Sequence, residues 1–392
     1  MKMSHMSKQE CIAALRERYL KAEKEEKRSI LNEFCLTTGY HRKSAIRVMR
    51  EPEIEEFKRR VCKESRGRKS KYRDPEFVKA LKGLWFETNQ LCPVNFKQAI
   101  PLWLNHFEKE NEISADTKAK LLKISSATIS RVLEASRYRT KRNGTTPGTL
   151  LRTQIPIRTN FWDVTIPGFM EADTVAHCGG SMSGEFVWSL TVTDIATTWT
   201  ELRPIWSKLS VSIRDAIIDI NEGLPFKIKA FDSDNGSEFI NHTLVNYFSE
   251  KLIAFTRSRE YQKNDNAYVE QKNWTHVRGL LGYDRIDLLE VVPLLYDVLK
   301  NEVSLLNNHF MPCLKLEAKE RRQSKIYRKY DDPKTPYQRV LLAQSIDQKT
   351  KDDLTKKHNT LNPMELKSTI NAKLKLIFKM VREAKIPATI ET

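Results

Sequence analysis

The sequence has 392 residues, which is too long for one ordinary hydrophobic core and indicates two or three domains. Its net charge is +17, which favours polyanionic partners, and 40% of its residues are hydrophobic, enough to form buried cores. The sequence contains no apolar run of the roughly 18 residues that a membrane helix needs. The first ten residues are polar and charged, so we expect neither a membrane segment nor a secretion signal.

The cysteines exclude two further classes of protein. All six are scattered along the chain without any C-x-x-C pair, which argues against a disulfide framework and against a Cys-rich zinc site. Reduced thiols of this kind are typical of a cytoplasmic protein.

The charge is divided unevenly along the chain. Residues 161–257 contain 7 Lys and Arg against 13 Asp and Glu, a net charge of −6. Because the whole chain has a net charge of +17, the remainder carries +17 − (−6) = +23. Carboxylates that gather a divalent metal, between arms that hold phosphates, produce this pattern.

Residues 1–140 have the apolar spacing of helices, and two segments resemble helix-turn-helix units. In the first, Ile30–Leu36 forms a helix, residues 37–39 turn, and His41–Arg50 forms a second helix with Ala45 towards the core. The basic residues of the second helix are predicted to contact phosphates or base edges. They are Arg42, Lys43, Arg47 and Arg50.

In the second unit, Thr117–Leu122 forms a helix, residues 124–126 turn, and Ala127–Glu134 forms a helix capped by a serine. Residues 124–133 resemble recognition helices of bacterial repressors, with Thr128, Ser130 and Arg131 towards the DNA groove. For both units an ordinary helical hairpin is the alternative.

One basic linker lies between these units and another follows the second unit. Arg66–Lys71 contains Arg68 and Lys69 and is either a minor-groove arm or a solvated linker. Arg139–Gly148 contains Gly144, Pro147 and Gly148 and marks a domain boundary. We predict helix-turn-helix regions at 1–65 and 66–140, a linker at 141–160, a catalytic core at 161–286 and a basic helical region at 287–392.

The central region changes to strands and then alternates. We predict three strands, then a helix, a strand, a helix, a short strand and a long helix, which together describe a mixed sheet with helices on its faces. In order they are Gly168–Ala176, Glu185–Thr193, Thr198–Pro204, Ser210–Asn221, Phe226–Phe231, Glu238–Lys251, Ile253–Thr256 and Asp265–Leu281.

The region after residue 286 is predicted to be helical again. A helix spans Leu288–Asn307, a basic segment spans Lys315–Arg339, and the charged tail at 350–392 is helical. Tyr327, Tyr330 and Tyr337 lie among the basic residues, where they either stack on DNA bases or pack inside the protein.

Three acidic residues stand out by their context. Asp173 lies within a predicted strand, Asp234 follows another strand at an Asp-Asn-Gly turn, and Glu270 lies near the start of the long helix. Side chains at neighbouring strand ends and on an adjacent helix can converge. Glu270 shares its predicted helix face with Asn266 and Asn273, which we expect to contact DNA.

Such a constellation suits phosphodiester chemistry. Two Mg²⁺ or Mn²⁺ ions about 3.5–4 Å apart can activate an attacking oxygen and stabilise the leaving one. Mg²⁺ prefers carboxylate oxygen. We expect Asp173 to bridge both ions, Asp234 to hold one and Glu270 the other, with no small-molecule cofactor.

The sequence resembles bacterial insertion-sequence transposases of the DDE type, which carry the retroviral-integrase-type core, over roughly residues 110–340. The resemblance is carried by QIPIRT at 154–159, PGFMEADTVAHCGG at 167–180, TDIAT at 193–197, SDNGSEF at 233–239 and VEQKNW at 269–274. In such enzymes the matching acids, here Asp173, Asp234 and Glu270, are the metal ligands.

The resemblance implies a multidomain protein with an all-α helix-turn-helix N-terminal region, a central α/β RNase H-like mixed sheet, and a mainly helical basic C-terminal region. It implies binding of double-stranded DNA at the element's terminal repeats and at a target, 3′-end cleavage, strand transfer and a homo-oligomer on DNA. A DNA-binding regulator with a silent core and a nuclease that only hydrolyses are the alternatives. The His-His-Cys-Cys zinc module of retroviral integrases has no counterpart here.

Four neighbouring residues are assigned other roles. We expect Asp194 in a turn, Asp232 to be secondary to Asp234, and Glu238 in the first turn of a helix. We expect His177 to make a local hydrogen bond rather than to bind a metal.

Overall fold

The computed structural model describes residues 5–50, 71–136, 165–207, 209–234, 236, 238–258, 267–322 and 325–385. The chain divides into two compact units between Ser70 and Lys71. None of the described helices is long and apolar enough to cross a membrane.

The first unit contains three helices packed around one small core. They are α1 (His5–Lys21), α2 (Lys24–Thr38) and α3 (Arg42–Arg50). Ile30, Phe34, Ala45 and Met49 are buried between them. Gly39 ends α2 in the left-handed conformation, at a φ of 72°, and its N–H bonds to the carbonyl of Cys35, so the chain turns sharply into α3.

The second unit begins with four helices. They are α4 (Pro75–Glu87), α5 (Pro93–Glu110), α6 (Ala115–Lys123) and α7 (Ser126–Leu133). The side chain of Ser125 accepts a hydrogen bond from the N–H of Thr128, so the predicted serine cap of α7 is confirmed. The predicted linker at 141–160 and the basic residues Arg68 and Lys69 lie outside the described residues.

A five-stranded mixed sheet forms the centre of the second unit. Its strands are β1 (Phe169–Ala176), β2 (Val187–Asp194), β3 (Thr200–Trp206), β4 (Ala230–Ser233) and β5 (Ala254–Arg257), in the order β3-β2-β1-β4-β5. Strand β2 is antiparallel to β1 and β3, whereas β4 and β5 run parallel to β1. The predicted mixed sheet is confirmed.

Helices cover both faces of this sheet. Helices α8 (Ser210–Gly223) and α9 (His242–Glu250) pack on the face that includes Met170, Leu190 and Phe231. The opposite face is covered by α10 (Ala267–Lys272), which continues through a π-helical segment (Asn273–Arg278) into α11 (Gly279–Leu281).

A second interrupted helix packs on that same face. A 3-10 turn (Leu289–Val291) leads into α12 (Val292–Asp297), a π-helical segment (Val298–Val303) and α13 (Ser304–Phe310). This rod shares a hydrophobic core with α4–α7 and with the C-terminal helix. The indole N–H of Trp103 donates to the carbonyl of Phe310 at 3.0 Å, which joins α5 to α13.

The C-terminal region is mainly helical, as predicted, with one exception. Helices α14 (Pro336–Leu342), α15 (Gln348–Thr360) and α16 (Pro363–Glu383) follow a hairpin of β6 (Leu316–Arg322) and β7 (Lys325–Tyr330). This hairpin was not predicted from the sequence.

Several element boundaries differ from the prediction, and two of these differences have a clear local cause. Strand β4 begins at Ala230 rather than residue 226, because pairing with β1 starts at Phe169 and Ala230. Helix α9 begins at His242 rather than residue 238, because the side chain of Asn241 caps it by accepting from the N–H of Leu244 at 3.0 Å.

Candidate active site

Asp173 and Asp234 lie side by side across two parallel strands. The register pairs Ala172 of β1 with Ser233, the last residue of β4, so Asp173 of β1 and Asp234, directly after β4, follow the same pair. Side chains at paired positions of parallel strands point to the same face of the sheet. Asp234 also accepts a hydrogen bond of 3.0 Å from the N–H of Gly236, an Asx-type turn that ends the strand.

Glu270 lies on α10, which packs on the face of the sheet that carries Asp173. Its side chain is exposed. The start of α10 is fixed to β1, because the buried carboxylate of Glu171 accepts hydrogen bonds from the N–H groups of Tyr268 and Val269.

The pKa of Asp173 is shifted by its burial and by the acidic residues around it. The pKa of Asp173 is raised to about 7, mainly by burial and also by the negative charges of Asp234, Glu270 and Glu238, against the lowering effect of a hydrogen bond from the N–H of Thr174. The three acids predicted from the sequence therefore interact electrostatically in the folded chain.

Asp173 is held by two donors. Its Oδ1 accepts from the N–H of Thr174 at 2.7 Å, and its Oδ2 accepts from the side-chain amide of Asn273 at 2.6 Å. Asn273 is only 9% exposed, whereas the neighbouring Trp274 is 57% exposed. Asn273, which we predicted to contact DNA, thus lies beneath the site and orients a carboxylate.

A fourth carboxylate, Glu238, completes the cluster and differs from the prediction. It lies in a turn before α9 rather than in the first turn of a helix, it is buried, and its Oε1 accepts from the hydroxyl of Thr174 at 3.1 Å. An added Cβ on Gly236 would lie 2.6 Å from the Glu238 carboxyl, so glycine permits this close approach. The SDNGSEF string contained Glu238, but no periodicity indicated that it would turn inwards.

His177 and Asp194, which lie near the carboxylate cluster, have structural roles. His177 is buried and hydrogen-bonded through Nε2 to the hydroxyl of Ser189 at 2.8 Å, and burial lowers its pKa to about 3. Asp194 was expected in a turn but is the last residue of β2, where it accepts from the N–H groups of Gly168 and of Thr197 in the turn that follows.

Asp232 is buried and lies on β4, two residues before the predicted ligand Asp234. Its Oδ1 accepts from the hydroxyl of Thr256 on β5 at 2.6 Å. This bond ties β4 to β5.

The donor set of the cluster suits a hard divalent cation, because it consists of carboxylate oxygens whose mutual repulsion a cation would relieve. As the side chains stand, however, no three or more Asp, Glu, His or Cys residues of the described part form a group that could hold a metal ion. Glu270 is exposed, whereas Asp173 and Asp234 are half-buried.

The predicted DNA-contacting residues of the first unit are accessible. All four basic residues of α3, namely Arg42, Lys43, Arg47 and Arg50, are exposed, while Ala45 and Met49 face the core. The guanidinium of Arg42 donates to the side chain of Asn32 on α2.

On α7 the predicted residues differ in accessibility. Arg131 is exposed, whereas Thr128 and Ser130 are half-buried, and the hydroxyl of Thr128 hydrogen-bonds that of Ser125 at 2.9 Å. The structure therefore leaves Arg131 the most accessible of the three. Asn266 lies outside the described residues.

The three C-terminal tyrosines separate into two groups. Tyr337 is 6% exposed and packs in a small core with Trp199, so packing is its role. Tyr327 and Tyr330 lie on β7 and are 52% and 47% exposed.

The five described cysteines, Cys11, Cys35, Cys92, Cys178 and Cys313, are free thiols.

No protein-family model matches the chain. The chain is similar to the uncharacterized protein y4rM of Sinorhizobium fredii (strain NBRC 101917 / NGR234), with 36% identity over 347 residues. The similarity covers 86% of this chain and 96% of that protein, so it extends over both compact units rather than over the sheet alone.

Proposed function

We propose a DNA-cutting and DNA-joining function for this chain, which belongs to the same family as the protein y4rM. The chain is a DDE-type transposase that binds the ends of a DNA element, cleaves the 3′ ends and joins them to a target. Its central sheet is an RNase H-like core, and its N-terminal helices are helix-turn-helix DNA-binding units.

The observation that carries this proposal is the placement of Asp173 beside Asp234. Burial and the charge of the neighbouring Asp234 both disfavour the ionised form of Asp173, and together they hold its pKa near 7. Such an arrangement is costly unless it binds cations or protons. A binding role for one or two divalent metal ions accounts for it, with Asp173, Asp234 and Glu270 as the ligands.

Neighbouring residues hold the proposed metal ligands in positions suited to phosphodiester chemistry. Bound Mg²⁺ or Mn²⁺ supplies activation of the attacking oxygen and stabilisation of the leaving oxygen. Asn273 and the N–H of Thr174 hold the two oxygens of Asp173 in a fixed orientation. Glu171 fixes the start of the helix that carries Glu270. The exposed Trp274 borders the site where a DNA strand has to pass.

The distribution of charge supports DNA as the partner. The acidic residues concentrate in the central region, and the remainder of the chain is strongly basic. The exposed basic face of α3 and the exposed Arg131 of α7 are suited to phosphates and base edges at the element's ends. Joining two ends requires them to be held together, so we propose a homo-oligomer that assembles on DNA in the bacterial cytoplasm.

A strand-transfer assay tests the proposal. Purified full-length protein is incubated with Mg²⁺ or Mn²⁺ and labelled DNA carrying the element's own ends, which are to be found in the sequence flanking the gene. Asp173→Asn, Asp234→Asn and Glu270→Gln are compared with wild type. Asp215→Asn is the matched control, because Asp215 is an exposed acid on α8.

We expect joined products from wild type and from Asp215→Asn only when metal is present, and none from the three site variants. DNA binding is expected to remain nearly intact in all of them. Cleavage without joining by wild type would indicate a hydrolytic nuclease, and binding without either would indicate a regulator with a silent core. Loss of binding in all three site variants would make these residues structural.

A further inference from the structure

The side chains that the structure describes in the β6–β7 hairpin beyond Leu316 are exposed, namely Glu317, Ala318 and Glu320 on β6 and residues 327–330 on β7. Its strands pair with each other from Leu316–Tyr330 to Arg322–Lys325, and they form a separate two-stranded sheet. Tyr327 and Arg328 are successive residues of β7, so they point to opposite faces, and both are exposed. An isolated two-stranded ribbon is marginally stable in water, so a ribbon whose described side chains are mostly exposed is expected to have a partner.

The composition of the hairpin indicates the chemistry of that partner. Residues 316–330 contain six Lys and Arg against two Glu, and the two exposed tyrosines lie among them. Lys329 pairs with Glu317 at 2.8 Å, but both side chains are largely exposed. An exposed ion pair contributes only about 0–1 kcal/mol, so Lys329 can exchange Glu317 for a phosphate.

The stem of the hairpin is fixed firmly to the protein. Asp331, directly after β7, accepts from the N–H of Lys315 at 2.7 Å and forms a largely buried ion pair with Arg339 of α14. Arg339 also donates to the carbonyl of Cys313 at 2.8 Å. The ribbon therefore extends from a rigid base.

That base is in contact with the elements of the candidate active site. Lys315 donates through Nζ to the carbonyl of Ala196, in the turn after β2, at 2.9 Å. Cys313 lies 3.7 Å from the Nζ of Lys272, which is two residues beyond Glu270 on α10. A ligand held along the ribbon is thereby placed at a fixed position relative to the carboxylate cluster.

We infer that the β6–β7 hairpin is a DNA-binding ribbon that enters the major groove of duplex DNA engaged at the active site. The inference rests on the proposed function for the identity of that DNA. The major groove is about 12 Å wide and admits a two-stranded ribbon. A strand of seven residues spans about 20 Å, which is enough to cross the groove and reach phosphates on both sides.

The first test compares two variants that each remove two positive charges. Arg328→Gln/Lys329→Gln alters the ribbon, and Lys356→Gln/Lys357→Gln is the control on the exposed side of α15, where Lys356 is likewise in an exposed ion pair, with Asp353. Binding of full-length protein to a fluorescein-labelled duplex of mixed sequence is measured by anisotropy across a KCl series. We expect the ribbon variant to lower the slope of log affinity against log salt by about two, with little change in the control. An equal loss in both variants, or no loss in either, overturns the inference.

The second test identifies what the ribbon touches. A photoreactive phenylalanine derivative replaces Tyr327 in the full-length protein, which is irradiated with the labelled duplex. A covalent product with DNA supports the inference, and a product with a second copy of the chain alone overturns it. Strand joining by wild type is scored in parallel. DNA binding and crosslinking do not require cleavage or joining of DNA. The two experiments can therefore support DNA binding by the ribbon even if strand joining fails, and can exclude it even if strand joining succeeds.

Discussion

The carboxylate of Glu171 accepts a hydrogen bond of 3.1 Å from the backbone N–H of Tyr268, and a second from Val269 at 3.2 Å. Glu171 is fully buried on β1, two residues before Asp173 and on the same face of the sheet. The free N–H groups at the start of a helix favour a negative charge. A single strand thus carries one predicted ligand and fixes the helix that carries another.

We predict that Glu171→Ala lowers strand transfer and destabilises the fold by about 1–3 kcal/mol, because two helix N–H groups lose their buried acceptor. Glu171→Gln retains an oxygen acceptor and is expected to recover most of the activity. Thermal unfolding and single-turnover strand transfer measure the two effects. The comparison separates a positioning role from a general loss of folding.

Glu76→Ala serves as the control for this prediction. Glu76 also accepts a backbone hydrogen bond just before a helix, from the N–H of Ser114 at 2.8 Å, but it belongs to α4 and does not contact the carboxylate cluster. We expect its loss to affect stability slightly and the rate of strand transfer not at all. If Glu76→Ala lowered the rate of strand transfer as much as Glu171→Ala does, the result would contradict a positioning role for Glu171.

Asn273 offers a second test, through the pH dependence of the reaction. Its amide stabilises the ionised form of Asp173, so Asn273→Ala is expected to raise the pKa of that carboxyl further above its ordinary range. Asn273→Asp adds a negative charge and is expected to raise it more. The rising limb of the pH–rate profile should therefore shift to higher pH in that order.

The control is Gln271→Ala, an exposed neighbour on the same helix. It is expected to leave the pH–rate profile in place. A profile unchanged in both Asn273 variants would mean that the hydrogen bond to Asp173 does not govern its ionisation.

The raised pKa of Asp173 also predicts how stability depends on pH without metal. Folding favours the protonated carboxyl, so its contribution is fully present below the ordinary pKa of 3.8 and is lost as the pH rises through about 7. At one pKa unit for each 1.36 kcal/mol, the loss is up to about 4 kcal/mol. Unfolding by urea at pH values on either side of 7 measures it.

Asp173→Asn is expected to remove most of this pH dependence and to stabilise the metal-free protein above pH 7. Mg²⁺ should raise the melting temperature of wild type in the same pH range, because a ligand that binds only the folded state stabilises it. The variant should show little response to Mg²⁺. A wild-type melting temperature that does not respond to Mg²⁺ would argue against the metal site independently of any activity assay.

The elements that the sequence predicted well have strong local signals. Strands β1 to β3 combine β-branched residues with short turns, and α7 is preceded by the serine that caps it. Asp173 and Asp234 could be selected because each stands at an unusual place relative to a predicted strand. Their pairing follows from the parallel register of β1 and β4, which local sequence does not encode.

The parts that the sequence did not reveal depend on long-range packing. A regular helical period places Glu270 and Asn273 on one face, whereas the π-helical segment that begins at Asn273 turns its side chain inwards. Glu238 is buried through its contact with Thr174 of β1, which is 64 residues away along the chain. The β6–β7 hairpin has no apolar alternation to mark it, because most of residues 316–330 are charged or polar.

A buried ion-pair network outside the site gives a prediction about folding alone. Arg203 of β3 is 2% exposed and pairs with Glu201 on its own strand and with Asp219 on α8. Asp219 also accepts from the hydroxyl of Tyr296 on α12 at 2.7 Å. Arg203→Met should cost about 3–5 kcal/mol, because it removes the cation that pairs with the buried carboxylate of Glu201.

Acid titration checks the same network. Burial tends to raise the pKa of Asp219, but hydrogen bonds from Lys300, Tyr296 and Arg203 outweigh it and lower the pKa to about 2. The stabilisation is therefore present above the ordinary pKa of 3.8 and is lost as the pH falls towards 2. Wild type should lose stability over this range, and Asp219→Asn should lose less of it.

Arg131 provides the test of sequence-specific binding. It is the exposed one of the three predicted contacts on α7, and a guanidinium can form two parallel hydrogen bonds to a guanine edge. Arg131→Ala is expected to weaken binding to the element's ends by about 1–3 kcal/mol, with a smaller effect on DNA of unrelated sequence. Competition binding against both DNAs measures the difference. Arg131→Lys keeps the charge but not the paired donors, so it should restore binding to unrelated DNA and not the preference for the ends. If Arg131→Lys also restores that preference, Arg131 contacts a phosphate, and the bases are read by other residues.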